Sequence, residues 1–172
     1  MTTAIAAAPD LEAAWLSASG DGLPALLKKD GGPWDVIQAY MPRTPHQQQT
    51  QIYVLRRKVV TRRLSQQRRI TTHHIVLALV WPIGQGTTAE YIAETEQRAF
   101  DAAIDLLVTR IEAYVDDKTH GGRFLSVGEA DGNEGTERAH IEVDISDPAE
   151  TVPGGYLIAN VSYLADSPDR TA

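Results

Sequence analysis

The sequence of 172 residues contains no cysteine. That removes disulfide scaffolds, thiolate metal sites and cysteine nucleophiles together. Aromatic residues make up only 6% of the chain, with three Trp, six Tyr and two Phe. The longest apolar run, Ile75 to Trp81, is seven residues, whereas a membrane-spanning helix needs about 20. The first residues, Met1 to Ala8, carry no basic segment and meet Pro9 and Asp10 early. This predicts a soluble chain made without a signal peptide. Acid is missing from one long stretch as well: Val36 to Ala89 holds no Asp or Glu.

That acid-free stretch carries eight cations: Arg43, Arg56, Arg57, Lys58, Arg62, Arg63, Arg68 and Arg69. The other eight basic residues and all 23 acidic ones leave the rest of the chain at −15, so the net charge of −7 conceals two opposite regions. Such a polarised molecule suits acidic partners, or copies of itself packed head-to-tail. Hydrophobic residues at 42% and charged residues at 23% are ordinary for a globular protein. A chain of this length buries enough surface to fold as one domain without metal or disulfide.

The residue pattern gives the order of elements. Pro9 and Asp10 open a helix towards Gly20, with Leu11, Ala14, Trp15 and Ala18 on one side. Gly20-Asp21-Gly22 breaks it, and a turn from Pro24 to Lys29 ends at Asp30-Gly31-Gly32-Pro33. Trp34 to Tyr40 alternates as a strand. Gln51–Val60 and Ile70–Trp81 are β-rich runs joined by the eight residues Arg62 to Arg69, which together predict a long hairpin with a basic tip.

Thr87 and Glu90 have capping-box spacing ahead of a helix from Thr88 to about Asp117. Its apolar stripe includes Ile92, Ala99, Phe100, Ala103, Ile104, Leu107, Ile111, Tyr114 and Val115. Lys118, His120 and Gly121-Gly122 stop it. Short strands are expected at Arg123–Val127, at His140–Ile145 with Ile141, Val143 and Ile145 inward, and at Tyr156–Leu164. The reading is a single α+β domain over residues 1–164, with a flexible C-terminal tail over 165–172. One mainly antiparallel or mixed sheet, with its long basic hairpin, packs on a long amphipathic helix and a short N-terminal helix.

No constellation supports catalysis. Gly84-Gln85-Gly86-Thr87-Thr88-Ala89 follows a strand and opens a helix, as a dinucleotide fingerprint does. However, Pro82 and Ile83 intervene, and the acid about twenty residues on, Asp105, lies mid-helix instead of ending a second strand. His73 and His74 are adjacent in a strand, so they point to opposite faces and share no metal. His140, Glu142 and Asp144 line one strand face, which reads as a solvated polar face before it reads as a cation site. Ser17, Ser65, Ser126 and Ser162 have no nucleophile-elbow context. Asn160-Val161-Ser162 is a glycosylation sequon inside a strand. The expectation is no catalytic residue, no metal and no cofactor.

The basic hairpin remains. Lysines and arginines protect exposed strand edges from aggregation, but eight cations exceed that need. Arg56, Arg57, Lys58, Arg62, Arg63, Arg68 and Arg69 are therefore the candidate contact residues, towards a protein surface or nucleic-acid phosphate. Stacking aromatics are scarce there, Tyr53 being the one nearby, and the acidic whole chain argues against a free-standing DNA binder.

Several local patterns together carry a resemblance. They are the Arg-rich strand pair, Val80-Trp81-Pro82, and the helix spacing Glu96, Phe100, Ile104, Leu107, Ile111. Gly121 to Phe124, Val127-Gly128-Glu129 and the strand Leu157 to Leu164 complete them. From Leu11 to Leu164 the chain resembles the tail terminator (tail completion) proteins of long-tailed bacteriophages, particularly those infecting actinobacteria. The resemblance implies a virion structural protein: a homo-oligomeric ring, six subunits in that family, seated on the tail tube. The ring would stop tube polymerisation and join the tail to the head connector or stopper protein, with genomic DNA passing through its lumen. It implies no reaction, no cofactor and no membrane, and a location in the virion neck after assembly in host cytoplasm. The loops Pro42–Gln51 and Gly128–Glu137 then become candidate faces towards tube or connector. The alternatives are another head–tail joining protein, a nucleic-acid-binding accessory protein using Arg56 to Arg69, or a small enzyme using Gly84 to Ala89.

Overall fold

The computed structural model describes residues 7–20, 22–44, 48–66, 68–83, 89–112, 120–121, 124, 126–127, 141–146 and 155–170. The architecture is α+β. A mixed six-stranded sheet is built from β1 (Val36–Ala39), β2 (Gln51–Arg63), β3 (Arg68–Pro82), β4 (Ser126–Val127), β5 (Ile141–Ile145) and β6 (Tyr156–Arg170). Two helices, α1 (Ala8–Ser17) and α2 (Ala89–Glu112), accompany it. The sheet order is β1-β2-β3-β6-β4, with β5 also pairing β6; β1 runs parallel to β2 and every other pair is antiparallel. No helix among the described residues is long and apolar enough to cross a membrane.

The helix stripe explains the core. Phe100, Ala103, Ile104, Leu107 and Ile111 are all buried, in one cluster with Ile52 and Val54 of β2, Ile75, Leu77, Leu79 and Trp81 of β3, and Leu157, Ala159, Val161 and Tyr163 of β6. These strand residues alternate, so one sheet face supplies them all. Ala99, which the periodicity placed on the stripe, is exposed, because it falls outside the arc that Phe100 and Ala103 fill. Trp81 donates its indole N–H to Glu96 at 2.7 Å, tying β3 to the start of the helix. Fully buried Trp34 packs edge-on against Trp81 with centroids 5.4 Å apart.

The segment before β1 is compact. A single 3-10 turn, Lys28–Asp30, ends on Gly31 at φ 96°, a conformation that glycine adopts without strain. Gly32 follows with its Cα against the Leu26 carbonyl: an added Cβ would stand 2.2 Å from it. Asp35 then anchors the entry to the sheet. Its carboxylate accepts from Lys28 Nζ at 2.8 Å and from the Thr50 backbone N–H at 2.9 Å, while its own N–H donates to Thr50 Oγ1 at 2.9 Å. Burial pushes this carboxyl up, but the Lys28 ammonium and the Thr50 donors outweigh it and hold it below the usual value of 3.8.

A depressed carboxyl contributes stability that is present above its unfolded pKa and lost as pH falls through the folded one. Asp35→Asn should therefore lower stability at pH 7 by about 1 kcal/mol, the scale of a few partly exposed hydrogen bonds. The gap from the parent should close as pH drops below about 4, the ordinary carboxylate range. Urea titrations at pH 7, 5 and 3 measure it, and a gap that widens towards pH 3 contradicts the assignment.

Four further sequence expectations change. The connection between the two β runs is not eight residues long: β2 extends to Arg63 and β3 starts at Arg68, because Arg62 pairs Ile70 and Arg63 pairs Arg69. The flexible tail expected over 165–172 is instead strand through Arg170, paired residue by residue with Arg68–His73. Polar cross-strand bonds hold it there, including Thr72 Oγ1 to Asp166 Oδ1 at 2.5 Å and His73 Nε2 to Ser167 Oγ at 2.8 Å. In α1 the buried face is Glu12, Ala13 and Leu16 with Trp15, whereas Leu11 is 40% exposed. Finally, Val143 and Ile145 lie on the helix-side face by register with Val161 and Ala159, yet both are exposed, because β5 is at the sheet margin. The turn at 84–88, the helix continuation over 113–117 and the loop 128–137 lie outside the described residues.

Candidate functional site

Strands β2 and β3 pair from Gln51–Val80 out to Arg63–Arg69, and β6 continues alongside β3 to Arg170. The outer half is thus a three-stranded ribbon. Beyond Arg56 every residue of β2 is exposed. The register shifts between Arg56 and Lys58, a bulge that takes up Arg57 as an extra residue. The connection after Arg63 is closed by Ser65: its backbone N–H donates to the Arg68 carbonyl at 3.0 Å, and its Oγ accepts from the Arg68 N–H at 3.1 Å. Arg63 Nε donates to the Ser65 carbonyl at 3.0 Å and stiffens the tip.

Alternation distributes the candidate cations over both faces. Arg56, Arg63 and Arg69 lie on the helix-side face, in register with Ile75 and with each other. Lys58, Arg62 and Arg68 lie on the opposite face, with Lys58 beside His74 and Arg62 beside Ile70. Arg57 sits at the bulge, and exposed Arg43 stands outside the ribbon, after β1. Arg57, Lys58, Arg62, Arg63 and Arg68 are exposed, while Arg56 and Arg69 are half-buried. The structure therefore gathers the seven residues on one projection but not on one flat patch. Apolar Val59, Val60 and Leu64 are exposed among them, and Leu64 at the tip is 54% exposed.

The other candidates separate. His73 is fully buried on the helix side, and His74 is half-buried on the opposite face. No group of three metal-ligating side chains exists among the described residues. The sequon Asn160–Ser162 is inside β6.

Two features escaped the sequence reading. The first is a closed polar cluster. Glu12 Oε1 accepts from the Tyr163 hydroxyl at 2.5 Å and meets His120 Nδ1 at 2.7 Å. His120 Nε2 donates to the Ile111 carbonyl at 2.9 Å, satisfying one of the orphan acceptors at the end of α2. A carbonyl only accepts, so Nε2 keeps its proton there, and the Nδ1–Oε1 contact holds one more. Trp15 stacks on the His120 ring at 3.6 Å, and the Arg110 guanidinium lies 4.5 Å from the Trp15 ring centre. Glu12 and His120 are wholly enclosed, so the cluster fastens α1, α2 and β6 and offers no access to a substrate. The available signal was the single carboxylate within Leu-Glu-Ala-Ala-Trp-Leu, residues 11–16.

The second is a cleft of about 360 Å³ between α2 and the β5/β6 margin. Buried Phe100 and Leu157 form its base; Ile145, Glu94, Arg98 and Asp101 surround its mouth. Glu94 and Arg98 are ion-paired at 2.7 Å along the helix surface. The helix as a whole carries six acids and two bases, and one of those bases, Arg110, is buried. On the opposite sheet face Tyr53 is enclosed and hydrogen-bonded to Gln51, and burial pushes its phenol up.

No protein-family model matches this chain, and no curated protein matches it.

Proposed function

We propose that this protein is a ring-forming structural subunit of a long-tailed phage neck, a tail terminator that caps the tail tube and joins it to the head connector. The reading rests first on the sequence resemblance described above. The observation that carries it structurally is the separation of charge along the sheet. An exposed cationic ribbon stands at one end, and an acidic helix packs over the other. Opposite charges at opposite ends favour head-to-tail contacts, and heterologous contacts of that kind close into rings when the rotation between copies allows. The ribbon of one subunit engages the acidic side of its neighbour; tube protein and connector take the two faces of the ring, and DNA crosses the lumen. Its place is the virion, after assembly in the host cytoplasm.

Reversing the tip charges, Arg62, Arg63, Arg68 and Arg69 to Glu, should abolish assembly. Native mass measurements with negative-stain imaging should show the parent as closed rings near six times 18.8 kDa, at high concentration or on added tube ends. The variant should remain a monomer of unchanged circular dichroism. Undiminished assembly of the variant sinks the reading. Tight DNA retention that falls steeply with salt, in place of ring formation, would instead favour a nucleic-acid-binding accessory protein.

A further inference from the structure

The ring reading leaves open where the ribbon docks, and the cleft between α2 and the β5/β6 margin answers its chemistry. The ribbon ends in an apolar knob between two cations: exposed Leu64, flanked by exposed Arg63 and, across the turn, Arg68. The cleft is the converse. Phe100 and Leu157 give it an apolar base, and Ile145, the Glu94–Arg98 pair and the carboxylate of Asp101 stand around its mouth. Glu94 is already paired with Arg98, whereas Asp101 has no ion-pair partner among the described residues. Ile145 is 48% exposed although it lies on the core side of the sheet.

The register decides whether one molecule can fill its own cleft. Arg68 pairs with Arg170 at one end of β6, and Trp81 pairs with Leu157 at the other. Thirteen residues of strand separate those ends, about 44 Å at 3.4 Å per residue. The short connection between Arg63 and Arg68 cannot fold back over that distance. Any ribbon tip in the cleft therefore comes from another copy, and that copy's own cleft stays open for a third. The contact is heterologous and propagates.

Resting on the proposed ring, we infer that the α2–β5/β6 cleft is the socket for the ribbon tip of the neighbouring subunit. Leu64 of one copy enters against Phe100, Leu157 and Ile145 of the next, and Arg63 and Arg68 bracket the mouth towards Asp101 and Glu94. The occupant is a second copy of this chain. The charge pattern selects it over an acidic partner, which the carboxylates at the mouth would repel.

Because the chain has no cysteine, thiols placed at chosen sites report the contact without background. Leu64→Cys and Ile145→Cys are purified separately, then mixed at ring-forming concentration under mild oxidation. A covalent dimer should form in the mixture and not with either variant alone, nor when Leu64→Cys is mixed with Leu11→Cys at an exposed position of α1. The double variant should give a ladder that ends at a closed species. In parallel, Asp101→Arg should weaken self-association at least tenfold, and adding Arg63→Glu and Arg68→Glu to it should restore assembly.

Rings of native mass with no Leu64–Ile145 cross-link would overturn the socket and leave the ring standing. A ladder that lengthens without closing supports the socket and overturns the ring. Equal cross-linking to Leu11→Cys, or a monomer with no cross-link at any concentration, overturns the socket.

Discussion

Replacing Glu12 by alanine is expected to cost about 3–5 kcal/mol of folding stability, the scale of two buried polar groups left unsatisfied plus the cavity left behind. The carboxylate is wholly enclosed and sits between two donors on distant parts of the chain, Tyr163 at 2.5 Å and His120 at 2.7 Å. Without it, the Tyr163 hydroxyl and His120 Nδ1 lose a shared acceptor in a space from which water is excluded. Each buried group left unsatisfied costs about 1–3 kcal/mol. A small cavity adds to that. Since native domains are typically stable by only about 5–15 kcal/mol, this one truncation brings the fold near its limit.

Glu12→Gln separates shape from charge. It keeps the volume and an acceptor for Tyr163, so its loss should be smaller than that of Glu12→Ala. Tyr163→Phe removes one hydrogen bond and should cost about 1 kcal/mol. Urea denaturation checks the series: midpoints should fall in the order Tyr163→Phe, Glu12→Gln, Glu12→Ala, with an unchanged slope showing that two-state unfolding persists. Trp15 stacks on His120 at 3.6 Å, so its fluorescence should change in the glutamate variants even where they remain folded. A loss under 1 kcal/mol for Glu12→Ala contradicts the enclosed geometry.

The same residue shows why part of the fold was illegible in the sequence. The α+β class was readable because Phe100, Ile104, Leu107 and Ile111 repeat with helical spacing, while the segments around Ile75–Trp81 are β-branched and apolar. Periodicity assigns a helix face by hydrophobicity alone, so it put Leu11, Ala14, Trp15 and Ala18 on one side of α1, and of these four Trp15 alone is buried. Tertiary partners reversed that: a carboxylate with His120 and Tyr163 within reach is buried, while Leu11 is left 40% exposed. The end of β6 was lost for a related reason. Asp166-Ser167-Pro168-Asp169 has a tail's composition, but its bonds to Thr72 and His73 span 94 residues, far outside any local window. Beyond Asp166 no described strand flanks β6 on its far side, so Pro168 at an edge position is tolerated.

For the candidate site the legible part was charge. Seven cations without an intervening acid are plain in the sequence, and β pairing places them on one projection. Their division between two faces depends on the bulge at Arg57, and a one-residue change of register moves every following side chain to the other face. Nothing in residues 56–69 announces that bulge. The cleft was illegible for a different reason. It exists because β5 lies beyond the cover of α2, a matter of how far the helix reaches across the sheet, and local alternation predicts Val143 and Ile145 as core.

Arg110→Met should be nearly as damaging as the loss of Glu12, by about 3 kcal/mol or more. Arg110 is buried, yet it follows the helix stripe between Leu107 and Ile111 because its guanidinium closes the far end of α1. Nη2 donates to the Trp15 carbonyl at 2.8 Å and to the Ala18 carbonyl at 3.0 Å, and Nη1 donates to the Pro24 carbonyl at 3.3 Å. The Trp15 and Ala18 carbonyls stand at the C-terminal end of α1, where Trp15 otherwise accepts only the Ala18 N–H at 3.2 Å, and Pro24 belongs to the segment that follows; the cation satisfies these acceptors and complements the negative end of the dipole. Methionine fills much of the volume but offers no donor. Arg110→Lys should not rescue it, because a single ammonium cannot reproduce the planar fork that reaches three carbonyls while lying against Trp15. Arg110 and Glu12 meet across the same Trp15–His120 stack. A double-mutant cycle between Arg110→Met and Glu12→Ala should therefore show coupling above about 0.5 kcal/mol, the double variant losing less than both singles together. Additivity within that margin would mean that Arg110 acts only as a cap on α1. Coupling would mean that the stack transmits the loss of either side chain to the other, making α1, α2 and the middle of β6, where Tyr163 pairs Ile75, one cooperative unit.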